Sequence, residues 1–261
     1  MGILNATLDS FSDGGRAAGL AAARRLIAEG ANWLDVGGES TRPGARPVSQ
    51  SEEMARVLPL IEAVRAISDI PISIDTMKPA VAREAISAGA SLWNDVTALA
   101  GSPESLSVCA ELGCAVVLMH MQGEPRTMQA DPRYDDVVGE VTSFLSDRAR
   151  AAEAAGVARQ DIWLDPGIGF GKTAAHNLAL LGALDSIVGL GFPVLVGASR
   201  KGFIRAIDPG AKEPSDRLGA SLAVALTAAR AGAAMVRVHD VRETVQALAM
   251  TAAVEEARPH A

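Results

Sequence analysis

The sequence predicts a single-domain α/β protein, residues 1–261, of the (β/α)8 barrel class. Three features lead there: eight short apolar runs that each end on polar residues, alanine-rich stretches of helical spacing between them, and no interior linker. Parallel strands covered on both faces read as continuous apolar runs rather than alternating ones. Eight strand-then-helix units in 261 residues match the usual length of such a barrel, about 250 residues. An open doubly wound sheet is the competing arrangement, but six strands normally suffice there.

Strands are expected at 3–5, 33–37, 72–75, 92–95, 115–120, 162–165, 194–199 and 235–239. Helices are expected at 19–29, 49–64, 79–88, 103–112, 135–155, 174–188, 215–231 and 241–257. The second helix is the clearest, with Met54, Val57, Leu58, Ile61 and Val64 on one face behind Ser49 and Glu52, a capping-box pair. Pro59 works against its continuity, whereas Pro79 and Pro103 suit first-turn positions.

Composition narrows the function. A hydrophobic content of 49% provides for a sizeable core, and a formal net charge of −7 argues against nucleic acid or an anionic membrane as the main partner. Cys109 and Cys114 are the only cysteines and read as packing residues, without further ligands for a zinc site. No apolar run reaches membrane-spanning length, and the opening MGILN lacks the basic and apolar segments of a secretory signal, so a cytoplasmic protein is expected.

The chemistry centres on residues 162–172, IWLDPGIGFGK. Asp165 stands where a buried strand must stop, because Pro166 cannot continue the ladder. Gly167, Gly169 and Gly171 then allow positive φ and close approach of a flat ligand. An isolated DPG is equally a tight turn whose Asp caps the next helix. The closing Gly-Lys-Thr resembles the end of a phosphate-binding P-loop, but Pro166 occupies the position where that pattern needs its first glycine. The spacing also fails the dinucleotide fingerprint G-x-G-x-x-G.

In a (β/α)8 barrel the C-terminal strand ends form the active-site mouth. Here that mouth would carry Asn5, Glu39 to Arg42, Asp75, Asn94, His120, Asp165, Ser199 to Lys201, Arg237 and His239. One half offers Asp75, Asn94 and Asp165, suited to a neutral heteroaromatic ring with adjacent N–H donors beside a carbonyl. The other offers Arg42, Arg200, Lys201, Arg237 and His239, suited to phosphate. A phosphorylated heterocycle satisfies both. His120, between two methionines, reads either as a mouth residue or as a satisfied core histidine; His176 and His260 read as exposed. Trp33, Trp93 and Trp163 read as packing residues.

GILNATLDSFSDGG (2–15), LDVGGESTRPG (34–44), SIDT (73–76), WNDV (93–96), VVLMHMQG (116–123), LDPGIGFGK (164–172), VGASRKGF (196–203) and RVHDV (237–241) together resemble the bacterial dihydropteroate synthase family. The resemblance implies a transferase of folate biosynthesis that joins 6-hydroxymethyl-7,8-dihydropterin pyrophosphate to 4-aminobenzoate, releasing pyrophosphate. It implies Mg2+ and a homodimer. Residue by residue, it implies a pterin site of Asp75, Asn94, Met119, Asp165, Phe170 and Lys201. Asn5, Thr41, Arg42, Arg237 and His239 would hold pyrophosphate, with Asn5 also touching the metal. Phe11, Thr41, Pro43, Gly169, Phe170, Lys201 and Gly202 would frame the aminobenzoate. Lys201, Arg237, Asp75 and Asp165 would carry the catalytic roles, and loops 7–16 and 39–47 would close over the site. A catalytically silent pterin-binding relative is the alternative reading. A methyltetrahydrofolate-binding methyltransferase domain is another, disfavoured because it needs no pyrophosphate pocket.

Overall fold

A computed structural model describes residues 1–6, 13–40 and 46–257. Eight strands alternate with helices as the sequence predicts: β1 (Gly2–Asn5), β2 (Leu34–Gly37), β3 (Ile72–Asp75), β4 (Leu92–Asp95), β5 (Ala115–Met119), β6 (Ile162–Asp165), β7 (Leu195–Val196) and β8 (Met235–Val236). Strands β1 to β6 pair in sequence order, every pair parallel, and β7 pairs in parallel with β8. Single parallel bridges, Leu164 to Val194 and Gly2 to Val238, join the two sheets into a ring. At the second seam the Ile3 N–H donates to the Val238 carbonyl at 3.0 Å, and the Val238 N–H donates to the Met1 carbonyl at 3.0 Å. Among the described residues the barrel is therefore closed, with no strand edge left for further pairing.

The surrounding helices are α1 (Asp13–Ala28), α2 (Gln50–Arg65), α3 (Pro79–Ser87), α4 (Ser105–Leu112), α5 (Val137–Ala155), α6 (Ala174–Gly182), α7 (Leu184–Val188), α8 (Leu218–Arg230) and α9 (Val241–Glu256). The Ser49 hydroxyl accepts the Glu52 N–H at 3.2 Å, giving the expected cap of α2, and the helix runs on through Pro59. The Glu52 carboxylate turns to Arg56 rather than back to the cap. Pro79 opens α3 as expected, whereas Pro103 precedes α4, whose cap is Glu104. The expected helix at 174–188 is broken at Ala183, and the one expected from 215 begins as a 3-10 turn at Pro214–Arg217. A continuous apolar pattern carries no mark of either interruption.

Two apolar layers stabilise this arrangement. Leu34, Val36, Ile72, Ile74, Val116, Leu118, Ile162 and Leu164 face outward and are buried against helix residues such as Leu26, Ile61, Val81 and Leu145. Inside the barrel, Leu92, Val117 and Leu195 cluster with Met1, Trp33, Trp163 and Met235. This cluster plugs the N-terminal end, so Trp33 and Trp163 are packing residues, as is Trp93, whose Nε1 donates to the Thr76 carbonyl at 2.8 Å. Cys109 and Cys114 are buried, free thiols in the outer core. Strand alternation then dictates what lies above the plug: the next inward positions are Asp35, Asp75, Asn94, Met119, Asp165 and Arg237.

Candidate active site

The inward positions converge on an ion-pair network that spans the barrel. Arg237 lies just beyond β8; its Nε donates to Asp35 Oδ2 at 2.6 Å and its Nη2 to Asp75 Oδ2 at 2.8 Å. Asn94 Nδ2 lies 3.5 Å from Asp35 Oδ1. Register explains the grouping, because Gly37 pairs with Asp75 and Asp75 with Asn94, while Met119 pairs with Asp165. Gly37 and Gly197 keep the space beside these groups open: a Cβ at Gly197 would lie 3.9 Å from Asp165 Oδ2 and one at Gly37 3.7 Å from Asp75 Oδ2.

Burial and charge set the protonation of the site. Burial pushes Asp75 up to about 7, opposed by Arg237 and reinforced by Asp35, Glu53 and Asp95. Burial likewise raises Asp165 to about 6, opposed by the Gly167 N–H, which donates to Asp165 Oδ1 at 2.7 Å, and by Lys201, Arg237 and Lys172. For Arg237 burial disfavours the charge, but Asp35 and Asp75 outweigh it and its pKa rises. Two carboxyls poised near neutrality are what a ring presenting N–H donors can ionise on binding.

The flanks of the slot are apolar or cationic. Val96, Met119, Met128 and Phe170 form a buried cluster at the mouth, and Lys201 Nζ sits 3.9 Å above the centre of the Phe170 ring. Gly169 leaves room for this arrangement, since a Cβ there would approach Lys201 Cδ to 3.0 Å. Gly202 begins a 3-10 turn at Gly202–Ala206, and a Cβ there would meet nothing within 4 Å. A cavity of about 520 Å³ extends from Val96 and Met119 past Met77 and Phe144 to Glu39 and Ser40, a size suited to a small organic ligand.

Other predicted site residues occupy distinct places. Asn5 ends β1 and is exposed at the mouth. His239 is held beside Ser199, its N–H 3.2 Å and its Nδ1 3.1 Å from Ser199 Oγ. Phe11, Thr41, Arg42 and Pro43 lie outside the described residues, as do most of the two expected closing loops. Arg237, expected among the basic groups, reaches into the acidic half, so the two halves are joined rather than separate. Arg200 is engaged by Asp240, its Nε donating to Asp240 Oδ2 at 2.9 Å. His120 is buried and satisfied. His176, expected to be exposed, is half-buried, closes the α6 capping box with Thr173 and packs edge-on against Tyr134.

Sequence reasoning missed Asp35, which is fully buried and anchors Arg237. Its signal was a carboxylate inside the apolar run of β2, two residues before its end and therefore on the same inward face. Sequence reasoning placed Glu39 at the mouth but not its pairing there, in which the Lys78 ammonium bridges the Glu39 and Glu53 carboxylates. Among the described residues there is no group of three or more His, Cys, Asp or Glu side chains placed to hold a metal ion.

A closed parallel barrel whose mouth joins buried carboxylates to cationic groups defines a barrel enzyme suited to a polar heterocycle. A family profile described as pterin binding enzyme matches residues 1–239. The dihydropteroate synthase of Escherichia coli K12 is 47% identical over 263 aligned residues, covering 99% of this chain and 92% of that protein. The structure is similar to Xanthomonas albilineans dihydropteroate synthase with 4-aminobenzoic acid (TM-score 0.92, 48% identity, 99% and 93% of the chains covered). It is also similar to the same organism's enzyme in complex with 7,8-dihydropteroate (TM-score 0.89, 44% identity, 99% and 93% covered). The chain belongs to the dihydropteroate synthase family of pterin-binding enzymes.

Proposed function

We propose that this chain is a transferase that condenses 6-hydroxymethyl-7,8-dihydropterin pyrophosphate with 4-aminobenzoate, giving 7,8-dihydropteroate and pyrophosphate. The observation that carries this reading is the Asp35, Arg237 and Asp75 network set beside Asn94 and Asp165, because it supplies acceptors for a pterin ring and a cation in one continuous slot. Asp75, Asn94 and Asp165 take the ring edge, with Met119 and Phe170 against its faces and Lys201 closing over it. Arg237 and His239, with Asn5, Thr41 and Arg42, take the pyrophosphate. Gly169, Phe170, Lys201 and Gly202 frame the aminobenzoate together with Phe11, Thr41 and Pro43.

Breaking the bond from the pterin methylene carbon to the pyrophosphate oxygen leaves positive charge delocalised into the dihydropterin and negative charge on the departing group. The ionised Asp75 and Asp165 stabilise the first, while Arg237 and Lys201 stabilise the second. Preorganised charge of this kind is commonly the largest catalytic contribution. The amine of aminobenzoate then attacks the methylene carbon, and its proton is lost to solvent. A neutral arylamine needs positioning more than activation, which a Lys201 stem packed on Gly169 and an ammonium above Phe170 provide.

The donor set suits Mg2+, which keeps several waters and takes one or two protein oxygens together with substrate phosphates rather than a carboxylate cage. Asn5, with an amide oxygen at the exposed end of β1, would hold it. When bound, the ion supplies charge neutralisation to the leaving pyrophosphate. A homodimer is supported by Met250 and Val254, exposed one turn apart on α9. No helix among the described residues is long and apolar enough to cross a membrane.

The test is pyrophosphate release by the purified protein supplied with the dihydropterin pyrophosphate, with and without 4-aminobenzoate and Mg2+, beside Lys201→Ala. Aminobenzoate-dependent turnover that collapses in the variant is expected. Binding of the pterin substrate without any dihydropteroate would replace the synthase with the silent pterin-binding relative.

A further inference from the structure

Lys172, which ends the Gly-Lys-Thr triplet, has no part in the chemistry above, yet only 3% of it is exposed. Its ammonium lies 2.9 Å from His120 Nδ1, 3.0 Å from the Gly167 carbonyl, 3.0 Å from the Phe170 carbonyl and 3.4 Å from the His120 carbonyl. Three N–H donors thus meet three acceptors within 3.0 Å, and the group is satisfied without solvent. His120 accepts at Nδ1, so its own proton is assigned to Nε2, and its ring stands edge-on to Phe144 with centroids 4.9 Å apart.

The ammonium fills a seam between two loops that press together at backbone level. A Cβ at Gly167 would fall 1.8 Å from the His120 carbonyl oxygen, and one at Gly171 would fall 2.3 Å from the Gln122 carbonyl oxygen. Tyr134 closes the far side, its hydroxyl donating to the Gly171 carbonyl at 2.9 Å. Directly in front of the seam, the His120 N–H donates to the Asp165 carbonyl at 3.0 Å, and Phe170 supports Lys201. We propose that Lys172 is a positioning residue: its ammonium fastens the 166–171 loop to the end of β5 and thereby sets where Asp165 and Phe170 meet the pterin ring. This rests on the pterin reading of the slot.

The charged and titratable groups around it are Asp165 on β6, His120 after β5, Lys201 after β7, and Tyr134 across the seam; Arg237 after β8 acts with Lys172 on Asp165. Burial lowers Lys172 to about 7, with Asp165 opposing and Lys201 adding to the shift. Burial and Lys172 hold His120 neutral, at about 3. Because Lys172 is one of the cations that lower Asp165, deleting its charge moves Asp165 protonation to higher pH.

The experiment measures binding of 6-hydroxymethyl-7,8-dihydropterin and, separately, of pyrophosphate, from pH 5.5 to 8.5, to the parent protein, Lys172→Met, Lys172→Arg and His120→Phe. For Lys172→Met we expect dihydropterin affinity about tenfold weaker or more, an acidic limb moved to higher pH, and pyrophosphate affinity unchanged. Lys172→Arg should keep the limb in place. Should Lys172→Met fail to fold, His120→Phe, which keeps an aromatic ring against Phe144 but removes the Nδ1 acceptor, should weaken dihydropterin binding without moving the limb. Folded Lys172→Met with parental dihydropterin affinity, or with both ligands weakened alike, overturns the positioning role. A parent protein that binds no dihydropterin overturns the pterin reading instead.

Discussion

Replacing Arg237 with Met removes the guanidinium that holds Asp35 and Asp75 together and keeps an apolar stem. The bonds lost are those at 2.6 Å to Asp35 and 2.8 Å to Asp75, both in the barrel interior. Breaking a buried ion pair costs about 3 to 5 kcal/mol, and a pair of charge centres about 4 Å apart in an effective dielectric of ~20 gives a similar figure, about 4 kcal/mol. Against a typical total stability of about 5 to 15 kcal/mol the loss should be plain in a urea titration. Its pH dependence is the sharper test. With Arg237 in place Asp75 titrates at about 7, and the Arg237 charge is what opposes the upward push of burial, so removing it raises Asp75 further. Below about pH 6 both proteins hold Asp75 and Asp165 protonated and the stability gap is constant; from pH 6 to 7 it begins to open, because losing Arg237 raises Asp165 as well. Above pH 7 the parent loses the Asp75 proton and the variant keeps it, so the variant's folded state binds more protons than its unfolded chain. The gap then widens by up to ~1.4 kcal/mol per pH unit. Urea midpoints for both proteins at pH 6.0, 7.0 and 8.5 measure this directly. A gap that is constant or shrinks above pH 7 would refute the paired-carboxylate account.

Four further outcomes follow from the same geometry. Asp165→Asn should weaken dihydropterin binding by about 1.5 to 3 kcal/mol, the worth of a charge-assisted hydrogen bond, and should abolish the component of the acidic limb expected near pH 6 in the parent, read by calorimetry. Chelation of Mg2+ should stop pyrophosphate release while leaving dihydropterin binding intact, because Asp75, Asn94 and Asp165 act without the metal; loss of ring binding on chelation would count against this division. Gly167→Ala forces a Cβ to 1.8 Å from the His120 carbonyl oxygen at a φ of +66°, so thermal stability and ring binding should both fall. Gly219→Ala, inside α8 with nothing within 4 Å, should be neutral or stabilising by about 0.5 to 1 kcal/mol, and equal losses in the two variants would discount the seam.

The legible part of this protein was the part governed by local rules, and the illegible part by closure. Each apolar run announces a strand, and the polar residue that ends it announces the mouth, so Asp75, Asn94 and Asp165 could be placed together from spacing alone. What spacing does not convey is the pairing that forms once the ring shuts. Arg237 counts as a basic group in sequence, yet it is separated by 202 positions from Asp35, and only the seam between β8 and β1 brings them into contact. Asp35 was overlooked because it precedes the end of its run, although a period of two gives it the same inward direction as Gly37. Lys172 was judged against the phosphate-binding pattern and rejected. Apart from His120 Nδ1, its partners are backbone carbonyls that two glycines bring within reach, and a carbonyl leaves no trace in the identity of its residue. The interior of the mouth is therefore one electrostatic unit: Arg237 is fixed by two carboxylates, Asp165 is tuned by three cations from three different strand ends, and a change at Arg237 shifts the protonation of both Asp75 and Asp165. Substitutions among these residues should be non-additive for that reason, whereas the outer core, where each strand packs on its own helices, should respond to substitution site by site.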